Sequence, residues 1–192
     1  MSSYQPSISH AIKTDFDQYD TDAINRQDKA HLLHPWQVFD SFAEDGALPI
    51  AAAEGLYIYD SNGKKYLDAV GGLWCTNIGL GREEMAEAIA DQVRQMAYAN
   101  PFVDMTNIPA ATLAAKLAEL APGDLEHVAF SCGGSTAIDT SFRLIHFYQN
   151  CRGKQDKKHM ISRVNSYHGS TYAAMSIGGK PGDHPPELDY IS

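Results

Sequence analysis

The sequence predicts an α/β protein built on a mostly parallel sheet. Three observations carry that prediction. Residues 126–150 read as strand, glycine turn and helix. A second strand-like run, residues 159–164, closes a βαβ unit, which implies a parallel strand pair with helices over both sheet faces. Upstream, two strand-like runs flank Asn62-Gly63, the strongest short hairpin signal.

Composition narrows the field. The chain has 192 residues, is 44% hydrophobic and carries a formal net charge of −9, enough apolar material for a sizeable core. No basic block is present, so nucleic acid is not expected as a partner. Apolar runs are too short to span a bilayer, and the N-terminus lacks the charged-then-apolar pattern of a secretory signal. Cys75, Cys132 and Cys151 are odd in number and widely spaced, which suggests neither a disulfide framework nor a zinc site. The expectation is a reduced, cytoplasmic protein without a membrane or metal partner.

Taken in order, residues 1–30 form a polar arm with five aspartates, of a kind ordered only against something else, such as a second subunit. His31 and His34 are three apart but lack a third ligand, and Pro35 blocks a regular helix, so an apolar patch docking the arm is the alternative to a metal pair. Residues 56–70 form the hairpin. Residues 71–81 contain four glycines without a period and form a loop. Trp74 in this loop either lines a binding pocket or plugs the core under the hairpin. Residues 82–98 are a helix whose stripe is Met85, Ile89, Val93 and Met96. Residues 107–120 are a second helix, with Asn107 as N-cap and Pro109 in the first turn. The strand at 126–131, a helix from about Ser135 to Asn150, and the strand at 159–164 make the βαβ unit, with Asp139 and Arg143 four apart and able to pair on the surface. A short helix at 171–177 ends in Gly178-Gly179.

The chemistry concentrates in Ser131-Cys132-Gly133-Gly134-Ser135-Thr136. A strand, a glycine turn and a helix start leave unpaired N–H groups and a positive dipole end, which suit one phosphate group. Gly133 and Gly134 let backbone approach a ligand, and Ser135 and Thr136 add hydroxyls. The alternative is an ordinary βα turn capped by Ser135. Neither Gly-x-Gly-x-x-Gly nor Gly-Lys-Ser/Thr occurs here, which disfavours a dinucleotide or nucleoside triphosphate. Cys132 reads as a small buried residue rather than a nucleophile. Tyr167, His168 and Gly169 follow the next strand, so both loops would open on the same crevice. Tyr167 could stack on an aromatic phosphate ester or simply pack, and His168 could be a hydrogen-bonded loop residue.

These residues resemble the class III aminotransferases. The resemblance rests on Cys132-Gly133-Gly134-Ser135-Thr136-Ala137-Ile138-Asp139-Thr140 and Ser166-Tyr167-His168-Gly169, supported by the hairpin and by Gly72-Leu73-Trp74-Cys75-Thr76-Asn77-Ile78-Gly79, over roughly residues 35–180. It implies a pyridoxal 5'-phosphate enzyme of fold type I, related to ω-amino acid and amine–pyruvate transaminases. Residues 1–70 would be the arm and the hairpin segment of the small domain, and residues 71–192 the beginning of the large cofactor-binding α/β domain. The resemblance assigns Gly133, Gly134, Ser135 and Thr136 to the phosphate cup, Tyr167 to the face of the pyridine ring, His168 and Gly169 to the same site, and Trp74 to the substrate pocket. The family commonly has Gly-Ser-Glu-Ala where this chain has Gly134-Ser135-Thr136-Ala137, although a subgroup of amine transaminases resembles the threonine form. The Schiff-base lysine and the aspartate on the pyridinium nitrogen are expected beyond Ser192, so no catalytic residue is assigned in this chain. The implied substrates are an amine donor and a keto acid, and the implied assembly is a homodimer. The alternative is a non-catalytic phosphate-ligand-binding or dimerisation module.

Overall fold

The computed structural model describes residues 14–190. These fall into two compact units, one ending at Asn100 and one beginning at Pro101.

The first unit holds helices α1 (Thr21–His31) and α2 (Phe39–Asp45), strands β1 (Ile50–Glu54), β2 (Tyr57–Asp60) and β3 (Lys65–Leu67), the helical turn α3 (Gly71–Trp74), and α4 (Glu83–Gln95). The hairpin forms as expected: β2 and β3 pair antiparallel with Tyr57 opposite Leu67 and Tyr59 opposite Lys65. Asp60 fixes its turn. Its carboxylate accepts from the backbone N–H of Asn62 and of Lys64, both at 2.9 Å, and from the Tyr66 hydroxyl at 2.9 Å. Strand β1, absent from the sequence reading, adds to β2 antiparallel. Its Ala-Ala-Ala run has no two-residue alternation to reveal it.

The polar arm needs correcting. Its first thirteen residues lie outside the described ones, but Thr21–His31 is a regular helix. Asp20 caps it by accepting from Ala23 N–H at 2.9 Å, and Lys29 sits in the last turn, where a cation complements the dipole. What orders the helix is the chain's own hairpin turn: the Thr21 hydroxyl lies 2.7 Å from that of Ser61 and donates to Asn62 Oδ1 at 3.2 Å. His34 pairs with Asp28 at 2.9 Å. Among the described residues no group of three or more His, Cys, Asp or Glu could hold a metal ion.

The second unit holds α5 (Ile108–Leu120), α6 (Gly134–Cys151) and α7 (Tyr172–Ser176). Asn107 caps α5 as expected, accepting from Ala110 N–H at 2.9 Å, an interaction worth about 1 kcal/mol. The two strands of the βαβ unit are a second correction. Neither 126–131 nor 159–164 joins a ladder, and the only sheet among the described residues is β1-β2-β3. Parallel strands need neighbours on their edges, and the apolar residues meant for such a sheet stand in the open: Ile161 is 100% exposed and Val164 is 81% exposed. Among the described residues no helix is long and apolar enough to cross a membrane.

Candidate functional site

The site is built at the start of α6. Gly133 is the N-cap residue and Gly134 the first helical one. A Cβ placed on either glycine would meet nothing within 4 Å, so the space in front of the turn is open. The first-turn N–H groups of Gly134, Ser135 and Thr136 point out of the helix end, where the dipole is positive.

The two hydroxyls do different work. Thr136 closes the turn on itself: its oxygen accepts from Gly133 N–H at 3.1 Å and its proton goes to the Gly133 carbonyl at 2.9 Å. A glutamate at this third helical position reaches back to the N-cap N–H in the same way, as one half of a capping box. The threonine therefore keeps the structural task of a carboxylate without its charge. Ser135 faces the other direction. Its oxygen accepts from Ser170 N–H at 2.9 Å, which leaves its own proton for an oxyanion.

That bond joins the two loops read from the sequence. Ser135 lies 35 residues before Ser170, and the Thr171 hydroxyl also donates to the Ser135 carbonyl at 3.4 Å. Gly169 is what permits the approach. It sits at φ +134, and a Cβ there would lie 2.6 Å from Ser135 Cα. Tyr167, half-exposed, sets its hydroxyl 2.9 Å from that of Ser170. His168 Nε2 lies 3.4 Å from the Ser162 hydroxyl. The loop is backed by Gly179, whose N–H donates to the Ser166 carbonyl at 2.9 Å and whose carbonyl accepts from Asn165 N–H at 2.8 Å. Any Cβ on Gly179 would collide with the Arg163 carbonyl. So Gly133 to Thr136 and Tyr167 to Gly169 converge within one unit.

Trp74 belongs to the first unit. It is 78% exposed, so it does not plug a core. It ends a left-handed stretch in which Gly72, Leu73 and Trp74 all have φ near +60. That conformation costs a non-glycine residue about 1–3 kcal/mol. Asp68 helps to hold it by accepting from Gly72 N–H at 2.7 Å.

Two sequence expectations fail here. Cys132 is exposed, because the strand that would have buried it is unpaired. Asp139 does not serve its neighbour Arg143; its carboxylate accepts from Ala174 N–H at 3.0 Å, in the first turn of α7. Sequence spacing favoured the partner four residues away, and only the fold brings α7 alongside.

A profile of the family Aminotransferase class-III matches residues 41–186. The chain belongs to the class III aminotransferases. It is 43% identical over 168 residues to the putrescine–pyruvate aminotransferase of Pseudomonas aeruginosa, covering 84% of this chain and 37% of that protein. Its structure is similar to an (S)-enantioselective ω-transaminase from Thermomicrobium roseum, with a TM-score of 0.87 and 33% identity over 91% of this chain and 39% of that one. The ω-transaminase from Pseudomonas jessenii in complex with PMP aligns with a TM-score of 0.83 and 35% identity over 85% of this chain and 36% of that one. The fold is therefore that of the fold type I transaminases, and the chain spans somewhat more than a third of the length of these relatives. Pyridoxal 5'-phosphate is the family's cofactor. The residues present fit its phosphate: the open cup before two glycines, three outward N–H groups and the unspent Ser135 proton form an uncharged oxyanion site.

Proposed function

We propose that this chain supplies the phosphate- and ring-binding part of a transaminase. The reaction moves an amino group from a primary amine or ω-amino acid to a keto acid such as pyruvate. One observation supports the reading most: the Gly133–Thr136 turn stands open while Ser135 holds the Tyr167 loop beside it. Bound pyridoxal phosphate would supply the electron sink that makes the substrate carbon acidic. This chain's residues bind and orient it. The N–H groups of Gly134, Ser135 and Thr136 would take phosphate oxygens, the Ser135 hydroxyl would add a fourth donor, and the half-exposed Tyr167 ring would cover an aromatic face. Trp74, exposed on a strained turn, serves as a wall of the substrate pocket.

None of the nine lysines is assigned the covalent role. Lys180 lies near the loop, its ammonium 5.8 Å from the centre of the Tyr167 ring, a cation–π contact. The expected outcome of an assay on this chain by itself is no transamination. A homodimer in the cytoplasm completes the proposal. It is supported by apolar side chains left open on α4 and α5, among them Ile89, Val93 and Leu120, and by three cysteines without a disulfide.

Calorimetry tests the reading. Pyridoxal phosphate is expected to bind more tightly than pyridoxal, inorganic phosphate or a nucleotide. Equal affinity for plain phosphate would favour the non-catalytic module. Borohydride reduction followed by peptide mapping is expected to leave every lysine unlabelled, and a pyridoxyl group on Lys180 would overturn the assignment of the covalent role.

A further inference from the structure

We propose that Asp139 is a positioning residue that fixes the Tyr167–Ser170 loop over the phosphate turn. Its consequence for the cofactor rests on the function proposed above; its structural part does not. Asp139 sits in the second turn of α6, one turn beyond Ser135 and so on the same face. Its carboxylate accepts from Ala174 N–H at 3.0 Å. Ala174 is the third residue of α7, and its N–H is one that a helix start leaves without an intrahelical acceptor. Asp139 thus caps α7 from a different helix, across 35 residues of sequence. Thr171, the local N-cap residue, makes no side-chain capping bond of its own. Instead its hydroxyl turns to the Ser135 carbonyl.

The result is a two-point clamp. Ser135 grips Ser170 N–H and Asp139 grips Ala174 N–H, four residues apart on α6 and four apart on the clamped segment. Ala174 is the fully buried apolar residue among the described ones, so its methyl packs where the clamp closes. The stretch just before the clamp carries Tyr167, His168 and Gly169. Because Ser135 also faces the phosphate turn, the clamp sets the height of the Tyr167 loop above the same helix end. An acceptor for an N–H that the helix itself leaves unpaired matters for a five-residue helix that cannot hold itself.

The acceptor oxygen, not the charge, is what this geometry requires. Asp139→Asn keeps an oxygen at that place and Asp139→Ala removes it. Amide hydrogen exchange on the ligand-free chain reads the clamp directly. Asp139→Ala is expected to speed exchange at Ala174 and at Ser170 by about tenfold or more, equivalent to about 1.4 kcal/mol, while amides in the middle of α6 keep wild-type rates. Asp139→Asn is expected to restore slow exchange at both. Unchanged rates in Asp139→Ala would overturn the proposal, as would Asp139→Asn behaving like the alanine variant. A wild-type chain that fails to distinguish pyridoxal phosphate from pyridoxal would sink the cofactor reading instead, and would leave the exchange result to judge the clamp alone.

Discussion

Replacing Gly169 by alanine should release the loop from the phosphate turn. The new methyl carbon would lie 2.6 Å from Ser135 Cα and 2.7 Å from Ser135 Cβ, where ordinary contact begins at 3.4 Å. The backbones must separate by roughly 0.8 Å, and overpacking of this kind costs about 1–3 kcal/mol. The φ of +134 adds about 1–3 kcal/mol of strain for any residue with a Cβ. Against this, the Ser170 N–H to Ser135 bond contributes about 1 kcal/mol. The strain exceeds the tether, so the bond should break before the methyl is accommodated. Titration with pyridoxal phosphate, followed by absorbance, should show affinity reduced about tenfold or more. Exchange at Ser170 should rise in the same variant. Gly153→Ala is the control: it has φ +70 but nothing within 4 Å of the added carbon, so it should carry strain without loss of affinity. Wild-type affinity and wild-type Ser170 protection in Gly169→Ala would refute the reasoning.

Further tests follow from the turn and the hairpin. Thr136→Val removes both bonds to Gly133 and should weaken pyridoxal phosphate binding several-fold, whereas Thr136→Glu should keep the N-cap contact; equal behaviour of the two variants in a binding titration would contradict the capping role. Burial pushes the Asp60 carboxyl up, but the N–H of Lys64, the Tyr66 hydroxyl, the N–H of Asn62 and the nearby Lys64 charge outweigh it and hold the group below the usual carboxylate value. The sign is that of a depressed acid: its stabilisation is fully present above the ordinary value of about 3.9 and is lost as pH falls through the lower folded one. The amide resonances of Asn62 and Lys64 should therefore titrate with a midpoint below 3.8, and a midpoint at or above that value would count against the network.

The hairpin, α4, α5 and α6 were legible because each declares itself locally. Asn62-Gly63, the Asn107 cap and the stripe of Met85, Ile89 and Val93 need no distant partner. The phosphate turn and the Tyr167 loop were legible as pieces, and Ser135 shows how they meet. What sequence could not show is long-range. Asp139 has a plausible helix neighbour in Arg143, yet its partner is a backbone N–H on α7. Phe130 and Ile161 have strand-like surroundings, yet a strand is defined by its neighbours, and none among the described residues pairs with them. Helix α1 was hidden by its charge, since counting aspartates obscured that Asp20 is a cap.

The central claim is that main-chain amides at the start of α6, with Ser135, grip the phosphate ester of pyridoxal phosphate. The direct measurement is a backbone amide titration by nuclear magnetic resonance. Gly134, Ser135 and Thr136 should shift saturably with pyridoxal 5'-phosphate and not with pyridoxal, and Ser170 should move with them. Shifts confined to other residues, or identical for both compounds, would contradict it.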